Sequence, residues 1–375
     1  MEWKEVKLGD ILNFRRGHDL PHSAMKPGNI PVAGSNGVIG YHDTATPIKP
    51  ILTIGRSGNV GKPYFYEEAW AHNTTLYVDD FKGNDPKFLY YLCQTMPFAN
   101  FGGGSAVPTL NRNHIHPLET KIPVKVEDQR RIASILSSLD RKIDLNNKIN
   151  ADLEEMAQAI FKNWFIDFEP FKDGKFVDSE LGMIPEGWKV GTLGDITKNK
   201  SAKVKERNDV KVLSPVTTGE LVLSEEYFTK QVFSSSIAKY KIVNKGDFAY
   251  NPARVNIGSL GRNEFDFDGC VSPVYVVFSV LDGYENYFDL FRKTDFFKDS
   301  VASLAIGGVR QSLSYDDLSS IEVIIPSENA VEEFNNLYNQ MKKTIKANKL
   351  ENSRLSLLRD TLLPRLMSGE IEVPE

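Results

Sequence analysis

The stretch WKEVKLGDI at residues 3–11 decides the fold, because it returns as WKVGTLGDI at residues 188–196. The second string lies 185 positions after the first and keeps both the Trp-Lys pair and the Leu-Gly-Asp-Ile end. Self-similarity at a fixed spacing is the sequence signature of a repeated structural unit. The sequence therefore predicts two copies of one domain.

Further anchors recur in the same order. Leu110 and Pro123 match Leu313 and Pro326 at an offset of 203. Each shared leucine also follows a glycine-rich stretch, at 102–104 and at 307–308. Because the offset between the copies grows from 185 to 203, the second copy is predicted to hold about 18 additional residues between the anchors.

Short β-branched or aromatic runs bounded by Gly, Asn, Asp and Pro indicate strands in both copies. These runs are 51–54, 75–78, 274–278 and 321–325. The aromatic stretches 88–92 and 287–291 each favour a short helix. Each globular unit is thus predicted to be α+β.

After Pro123 and Pro326 the apolar period changes to a strict 4-3 spacing, which predicts two long coiled-coil helices. The first seam comprises Ile132, Leu136, Leu139, Ile143, Asn146, Asn150, Leu153, Ala157, Ile160 and Trp164. The second comprises Phe334, Tyr338, Met341, Ile345, Asn348, Asn352, Leu355, Arg359, Leu362 and Leu366.

Asparagines occupy equivalent seam positions near the middle of both helices, at 146 and 150 and at 348 and 352. An antiparallel pair would bring the amides together and penalise a slipped register. The helices are therefore expected to form an antiparallel coiled coil with pseudo-twofold symmetry. A parallel pair, or helices that pack separately on their own domains, are the alternatives.

The predicted organisation follows from these boundaries. It comprises a first globular domain (1–125), a first coiled-coil helix (126–168), a linker (169–186), a second globular domain (187–326), a second coiled-coil helix (327–370) and a tail (371–375).

Composition indicates a soluble, cytoplasmic protein. Hydrophobic residues make up 41% and charged residues 25%, and no run approaches about 18 apolar residues, so a membrane span is not expected. Cys93 and Cys270 lie in different copies and are interpreted as reduced core thiols. The net charge is −5, but residues 126–186 alone carry 8 basic against 13 acidic side chains, which leaves room for a DNA-facing surface elsewhere.

The sequence contains no complete catalytic motif. The string at 55–63 resembles a phosphate-binding P-loop, but Arg56 stands where the first glycine belongs and Pro63 replaces the Mg-binding Ser or Thr. YNPAR at 250–254 lacks the second proline and closing aromatic of an adenine methyltransferase motif. Glu119 has no second acidic partner for a nuclease motif, and the histidines lack metal-ligand spacing.

Donor-rich loop residues are the remaining candidates, and they suit DNA contacts. For each one, a solvated or turn-stabilising role is the alternative. The DNA-binding candidates are Arg15, Arg16, Arg56, Ser57, Asn59, Lys62, Asn73, Arg112 and Asn113 in the first copy, with Lys198, Lys200, Lys203, Lys205, Arg254, Asn256, Arg310 and Gln311 in the second. The segment 198–211 holds six basic and two acidic residues, which favours phosphate contacts.

Three strings resemble those of specificity subunits of type I restriction–modification enzymes: IFKNWFIDFEPF at 160–171, GMIPEGWK at 182–189 and LLPRLMSGEI at 362–371. The likeness extends over the whole chain in the order target-recognition domain, helix, target-recognition domain, helix. The resemblance implies a non-catalytic subunit in which each domain reads half of an asymmetric two-part site in double-stranded DNA and the helices set the unread spacer.

It further implies that two adenine methyltransferase subunits dock on the helices and domains, and that motor–nuclease subunits complete the restriction enzyme. S-adenosylmethionine, ATP and Mg are then expected on those subunits, with no cofactor or metal in this chain. The acidic first helix and the aromatic segment 164–171 are the expected docking surfaces, although Trp164 and Phe165 could be core. The alternatives are a coiled-coil scaffold that binds protein partners through its globular ends, and a self-sufficient methyltransferase or nuclease.

Overall fold

The computed structural model describes residues 1–103, 108–228, 230, 233–234, 236–304 and 312–374. The chain divides into two compact units. The first unit comprises Met1–Ile149 together with Lys346–Glu375, and the second unit is Asn150–Ile345. The first unit is therefore built from two segments that are distant in sequence.

Residues 1–125 of the first unit contain mostly short strands. These are β1 (Trp3–Lys7), β2 (Asn13–Arg16), β3 (Ile30–Gly34), β4 (Gly37–His42), β5 (Ile51–Gly55), β6 (Pro63–Tyr66), β7 (Trp70–Ala71), β8 (Thr75–Asp80), β9 (Gly102–Gly103), β10 (Thr109–Leu110) and β11 (Glu119–Pro123). One antiparallel sheet has the order β2-β8-β5-β6, and a second has the order β4-β3-β7 with β3 and β7 parallel. β1 pairs with β11 and β9 with β10, both antiparallel.

Among the described residues of the first half, a capping side chain precedes two of the helices. The helices are α1 (Leu8–Ile11), α2 (Pro86–Thr95), α3 (Arg112–Ile115) and the long α4 (Val126–Phe165), with 3₁₀ turns at His22–Ala24 and Phe98–Phe101. The Asp85 side chain accepts a hydrogen bond from the Phe88 amide, and Pro86 stands at the start of α2. Such a cap satisfies an amide that the helix itself cannot pair.

The second half repeats this pattern. Its strands are β12 (Phe176–Val177), β13 (Ile184–Pro185), β14 (Lys189–Thr192), β15 (Thr197–Lys200), β16 (Lys211–Pro215), β17 (Leu221–Leu223), β18 (Lys241–Val243), β19 (Phe248–Tyr250), β20 (Leu260–Arg262), β21 (Gly269–Val271), β22 (Val276–Val280) and β23 (Glu322–Ile325). Its helices are α5 (Leu193–Ile196), α6 (Ser224–Tyr227), α7 (Glu285–Phe291), α8 (Asp295–Leu304), α9 (Tyr315–Ser319) and α10 (Glu328–Met367), with 3₁₀ turns at Glu169–Phe171 and Val255–Ile257.

Strand order confirms the predicted duplication. The sheet β15-β22-β19-β20 has the order of β2-β8-β5-β6, and the pair β14-β23 corresponds to β1-β11. β16 pairs in parallel with β21, as β3 does with β7. The additional residues fall largely between β17 and β19, where 24 positions separate Leu223 from Phe248, against 8 between His42 and Ile51. That longer segment supplies β18, which has no counterpart among the described strands of the first copy.

The predicted α+β class and the strands and short helices expected from the sequence are confirmed, with one local difference. The run 274–278 was expected to be extended throughout, but β22 begins only at Val276. The amide of Tyr275 donates to the carbonyl of Ser272 at 3.0 Å, which closes a turn and leaves Val274 71% exposed.

In the first unit, the first part of α4 packs antiparallel to the second part of α10. The Asn146 Nδ2 donates to Oδ1 of Asn352 at 2.9 Å, and the Arg359 Nη1 donates to Oδ1 of Asp140 at 2.9 Å. Partner numbers therefore fall on one helix as they rise on the other. The antiparallel pairing and the meeting of the asparagines are confirmed here.

In the second unit, the end of α4 packs against the start of α10. The ring of Phe334 lies 6.1 Å from that of Phe161 and 5.0 Å from that of Phe165. Trp164 joins the same cluster, with Phe334 and Phe171 each 6.0 Å away. The aromatic side chains of the segment 164–171 thus pack in or against the core of this unit, which was the alternative to a docking surface.

Candidate nucleic-acid interface

A cleft in the first unit lies where three neighbouring strands end. β8 runs antiparallel to β2 and β5, so its first residues sit beside their last ones. In this register Leu76 faces Arg16, and Thr75 faces Gly55. Arg15 and Arg16 at the end of β2 are thereby brought towards Arg56, which follows β5.

The segment that leads into α3 forms the other wall of this cleft. The Leu110 amide donates to the carbonyl of Arg56 at 2.7 Å, so Arg112 is held beside Arg56. The cleft has a volume of about 410 Å³. Its lining residues are Arg15, Arg16, Arg56, Leu76, Thr109, Leu110, Asn111 and Arg112. Four of the predicted DNA-binding residues are therefore brought together, and we call this site the arginine cleft.

Two glycines permit the close backbone approach that shapes the arginine cleft. A Cβ on Gly17 would lie 2.1 Å from the carbonyl oxygen of His72, and one on Gly55 would lie 1.8 Å from that of Asn59. Each glycine is a chain neighbour of a cleft arginine, Arg16 or Arg56. Because side chains at these positions would force the backbones apart, the arrangement of the arginines depends on both glycines.

Carboxylates hold two of the arginines. The Arg15 Nη1 lies 3.3 Å from Oδ2 of Asp79, and the Arg16 Nη2 lies 3.4 Å from Oδ1 of Asp19. The Asn73 amide also donates to Asp19. Both arginine side chains remain more than half exposed, at 61% and 56%.

Main-chain carbonyls hold the other two. The Arg56 Nη1 lies 3.5 Å from the carbonyl oxygen of Asn73, and the Arg112 Nη1 donates to that of Phe14 at 3.2 Å. Within the described part of the chain, neither guanidinium has a carboxylate within ion-pair distance. Arg56 and Arg112 therefore keep a positive charge that no carboxylate among the described residues offsets at ion-pair distance.

A neutral histidine supports the Phe14 peptide. The Phe14 amide donates to the Nε2 of His116 at 3.1 Å, which requires that nitrogen to be unprotonated. Burial lowers the pKa of His116, and the nearby Arg112 and Lys82 lower it further. Burial also lowers the pKa of His72, next to the turn that carries Asn73. At neutral pH both rings are therefore uncharged parts of the scaffold.

The other candidates of the first copy surround the arginine cleft. Ser57 forms an isolated β-bridge with Thr109. Asn59 is exposed on the loop between β5 and β6, and Lys62 lies over the ring of Tyr64 at 5.4 Å. Asn113 is exposed in α3, where its amide donates to the capping side chain of Asn111. Because the loop leads into a strand, it differs from a P-loop, which opens a helix.

The candidate lysines of the second copy differ in their exposure and in their ion pairing. Lys198, Lys203 and Lys205 are exposed. The Lys200 Nζ, in contrast, lies 2.7 Å from Oδ1 of Asp247, whose side chain is only 5% exposed. Burial raises the pKa of Asp247, and Lys200 opposes that effect. Lys200 therefore has a structural role as the partner of a buried carboxylate.

Arg207, in the same basic segment, is also compensated. Its Nη2 lies 2.7 Å from Asp209 and 3.0 Å from Asp268. Hydrogen bonds to these two carboxylates raise its pKa. Six basic residues between 198 and 211 therefore contribute fewer than six uncompensated charges.

The second unit has no arginine at the positions of Arg56 and Arg112. The Leu313 amide donates to the carbonyl of Pro252 at 3.1 Å, as Leu110 does to Arg56, so Pro252 takes the place of Arg56. At the offset of 203, Tyr315 takes the place of Arg112. Arg254 and Asn256 are exposed two and four residues after Pro252. Arg310 and Gln311 lie outside the described residues.

Sequence reasoning missed the groups that position the arginines. Asp19 stands three residues after Arg16, which is a weak local signal, whereas Asp79 reaches Arg15 only through strand pairing. Thr109 and Asn111 also line the arginine cleft. An Asn directly before a helical stretch is a recognisable cap, and the Asn111 side chain does cap α3.

Part of the methyltransferase-like string lies in the core of the second unit. Tyr250, in the methyltransferase-like string, is fully buried, and its hydroxyl donates to the carbonyls of Leu313 and Ser314. In the described ranges no cluster of three or more His, Cys, Asp or Glu is placed to hold a metal ion. Nor does any helix among them combine the length and apolar character needed to cross a membrane.

Residues 1–155 match the family model of the type I restriction modification DNA specificity domain. The first copy thus belongs to a class of DNA specificity domains. The chain is 29% identical to the MjaIX specificity subunit of Methanocaldococcus jannaschii, over 77% of this chain and 70% of that protein. It is 25% identical to the HindI specificity subunit of Haemophilus influenzae, over 98% and 94%.

The resemblance seen in the motifs is confirmed: the family model and the relatives are those of specificity subunits of type I restriction–modification systems, which are non-catalytic components. The S subunit from M. genitalium has a crystal structure that aligns with a TM-score of 0.64 at 16% identity, over 98% of this chain and 96% of that one. At that identity the match shows a shared fold.

Proposed function

We propose that this chain reads a two-part site in double-stranded DNA. The first domain (1–125) would contact one half-site and the second domain (187–326) the other. The helical segments 126–168 and 327–370 would fix the number of unread base pairs, with 169–186 as linker and 371–375 as tail. A 40-residue helix such as α4 is about 60 Å long, which suits a rigid spacer.

The arginine cleft is the observation that carries this proposal. Four arginines line this cleft of about 410 Å³, although the whole chain has a net charge of −5. Such a concentration of cations attracts phosphates, and arginine also matches the acceptor pairs of bases. In the second domain, the exposed Lys198, Lys203 and Lys205 are the proposed phosphate contacts.

We propose two adenine methyltransferase subunits and motor–nuclease subunits as partners. The methyltransferase subunits would use S-adenosylmethionine on a flipped adenine, and the motor–nuclease subunits would use ATP and Mg. Exposed apolar side chains on the long helices, Leu145 and Met156 on α4 and Leu357 on α10, support docking there. Residues 126–186, with 8 basic and 13 acidic side chains, offer charge complementarity to a basic partner.

A salt titration tests whether the arginine cleft binds DNA. We expect the full chain to bind random duplex DNA with an affinity that falls as salt rises, because phosphate contacts release counterions. Replacing both Arg15 and Arg16 with Ala should lower the slope of log affinity against log salt by about 2. Replacing the exposed Glu332 and Glu333 of α10 with Ala is the control. Absence of binding would favour the protein-binding scaffold.

The two-part site is tested by mapping the methylated adenines. Single-molecule sequencing of DNA from cells that carry the complete system should show two half-sites separated by a constant number of unspecified base pairs. A contiguous target would contradict the spacer role of the helices. Methyl transfer by the isolated chain, incubated with labelled S-adenosylmethionine and DNA, would contradict the division of labour between subunits.

A further inference from the structure

All four cations that line the arginine cleft are arginines. Lysine would serve equally well for attraction to phosphate alone, because its ammonium is a point charge. The planar guanidinium, in contrast, presents paired donors that match two acceptors at once. Selection of arginine at all four positions therefore points to recognition of a ligand with paired acceptors.

The four arginines form two different pairs. Arg15 and Arg16 are more than half exposed and are paired with Asp79 and Asp19. Arg56 and Arg112 are each held through Nη1 by a main-chain carbonyl, and in the described part of the chain neither has a carboxylate partner. A neutral carbonyl orients the group without offsetting its charge.

We propose that Arg56 and Arg112 determine the specificity of the first domain by reading guanine, and that Arg15 and Arg16 contact phosphates. This inference rests on the proposed DNA-binding function and names the base that the arginine cleft recognises. With Nη1 engaged, each guanidinium still has Nε–H and Nη2–H groups that point along one edge. Guanine offers O6 and N7 as adjacent acceptors on its major-groove edge, and these match that donor pair.

The other bases fit this donor pair less well. Adenine has only N7 as an acceptor beside its N6 amino group, which would face an arginine donor. Cytosine presents an amino donor, and thymine a single acceptor next to a methyl group. Each leaves an arginine donor unpaired in the arginine cleft, which costs free energy.

The second unit has different residues at the two positions that we propose to read guanine. Pro252 and Tyr315 stand where the first unit has Arg56 and Arg112, and neither offers a forked donor. Only the first half-site should therefore depend on these two positions for a guanine.

Selection of bound duplexes from a randomised library by the full chain tests the proposal. We expect guanine at one or two positions of one half-site. In Arg56→Gln and Arg112→Gln, discrimination for guanine at the corresponding position should fall by about 5- to 150-fold, while the other half-site is unchanged. The controls are Arg15→Gln and Arg16→Gln, which should weaken binding to all sequences alike.

Replacing the selected guanine by 7-deazaguanine removes the N7 acceptor without altering the protein. The unmodified chain should lose affinity for this duplex, whereas the matching arginine variant should bind both duplexes equally. Equal loss in the chain and in the variant would overturn the proposal, as would a first half-site without guanine. Sequence-selective binding would in both cases leave the proposed function intact, whereas absence of any selectivity would overturn both.

Discussion

The two repeated domains share one framework and differ in the groups that this framework presents. Both have the sheet order β2-β8-β5-β6 or its equivalent β15-β22-β19-β20, and both follow their first strand with a short Leu-Gly-Asp-Ile helix. At the strand ends, however, the first unit presents Arg56 and Arg112, and the second presents Pro252 and Tyr315. Core packing fixes the frame, so that loop residues can change without loss of the fold.

The domains also attach to the long helices by different chemistry. In the first unit, the buried Gln129 of α4 bonds to Asp85 and Asn84 of the domain. At the offset of 202 the second unit has Val331, a buried apolar residue. There the polar contact comes from Asn286 of α7, which bonds to Asn335 and Asn339 of α10. Different side chains therefore make the contacts between domain and long helix in the two units.

The largest difference in stability is expected at Asp289 in the second unit. Burial alone would raise its pKa, but Arg292, Lys293 and Lys342 lower it to about 2. Asp289→Ala would leave the buried Arg292 without its counter-charge and should destabilise this unit by about 3–5 kcal/mol. Hydrogen exchange with mass spectrometry should show lost protection in the second unit only.

The exposed Asp282→Ala is the control for that experiment. Because the folded pKa of Asp289 lies below the ordinary 3.8, its contribution is present above that pH and is lost as the pH falls towards 2. Equal destabilisation of both units would show that they do not unfold independently.

A smaller loss, confined to the first unit, is expected from Gln129→Ala. The Gln129 side chain accepts from the Asp85 amide at 2.9 Å and donates to the carbonyl of Pro123 at 3.1 Å. Its removal leaves these buried groups unpaired, at a cost of about 1–3 kcal/mol. Urea unfolding should detect the change, and the exposed Glu127→Ala should have no comparable effect. A null result for Gln129→Ala would mean that water replaces the amide.

The seam asparagines should act in the opposite direction. Asn146 is fully buried, and its Oδ1 has no hydrogen-bond partner in the described structure. Asn146→Leu combined with Asn352→Leu should raise stability by about 1 kcal/mol, since the apolar pair fits the seam, but should loosen the register. Thermal unfolding and the range of tolerated half-site spacings measure the two effects, with the exposed Asn163→Leu on the same helix as control. Unchanged stability and unchanged spacing would contradict this role.

The smallest expected effect is a difference in acid sensitivity. All six histidines lie between residues 18 and 116, and burial lowers the pKa of two of them, His72 and His116. A lowered folded pKa means that stability is lost as the pH falls below the ordinary 6.5. Hydrogen exchange at pH 7.5 and 5.5 should therefore show a loss in the first unit alone. His116→Gln should reduce that loss, and an equal loss in the second unit would refute the assignment to histidine.

Features encoded by local periodicity could be predicted from the sequence. The WK…LGDI repeat, the strand runs and the 4-3 seams each depend on neighbours within a few turns, and the structure has them apart from the first two residues of the run 274–278. The arginine cleft depends on distant pairing: Arg16 meets Leu76 through β8, and Arg112 meets Arg56 through Leu110. The sequence indicated the arginines as candidates, but it contained no local signal that they share one cleft.

Charge counting had a related limit. The cluster 198–211 was predicted from its six basic residues, yet Lys200 is paired with Asp247 and Arg207 with Asp268. Their acidic partners are 47 and 61 positions away. A run of basic residues therefore overstates the positive potential where the fold brings carboxylates to it.

The composition of the first unit has a consequence for biosynthesis. Leu366 and Met367 of α10 are buried in the same core as Leu8 and Ile132, and Gly369 lies against the ring of Trp3. A ribosome synthesises residues 1–149 long before it reaches residue 346. The apolar surface of the first unit that α10 covers is therefore exposed while the second unit is translated. The amino-terminal domain is thus expected to complete its folding after the domain that follows it.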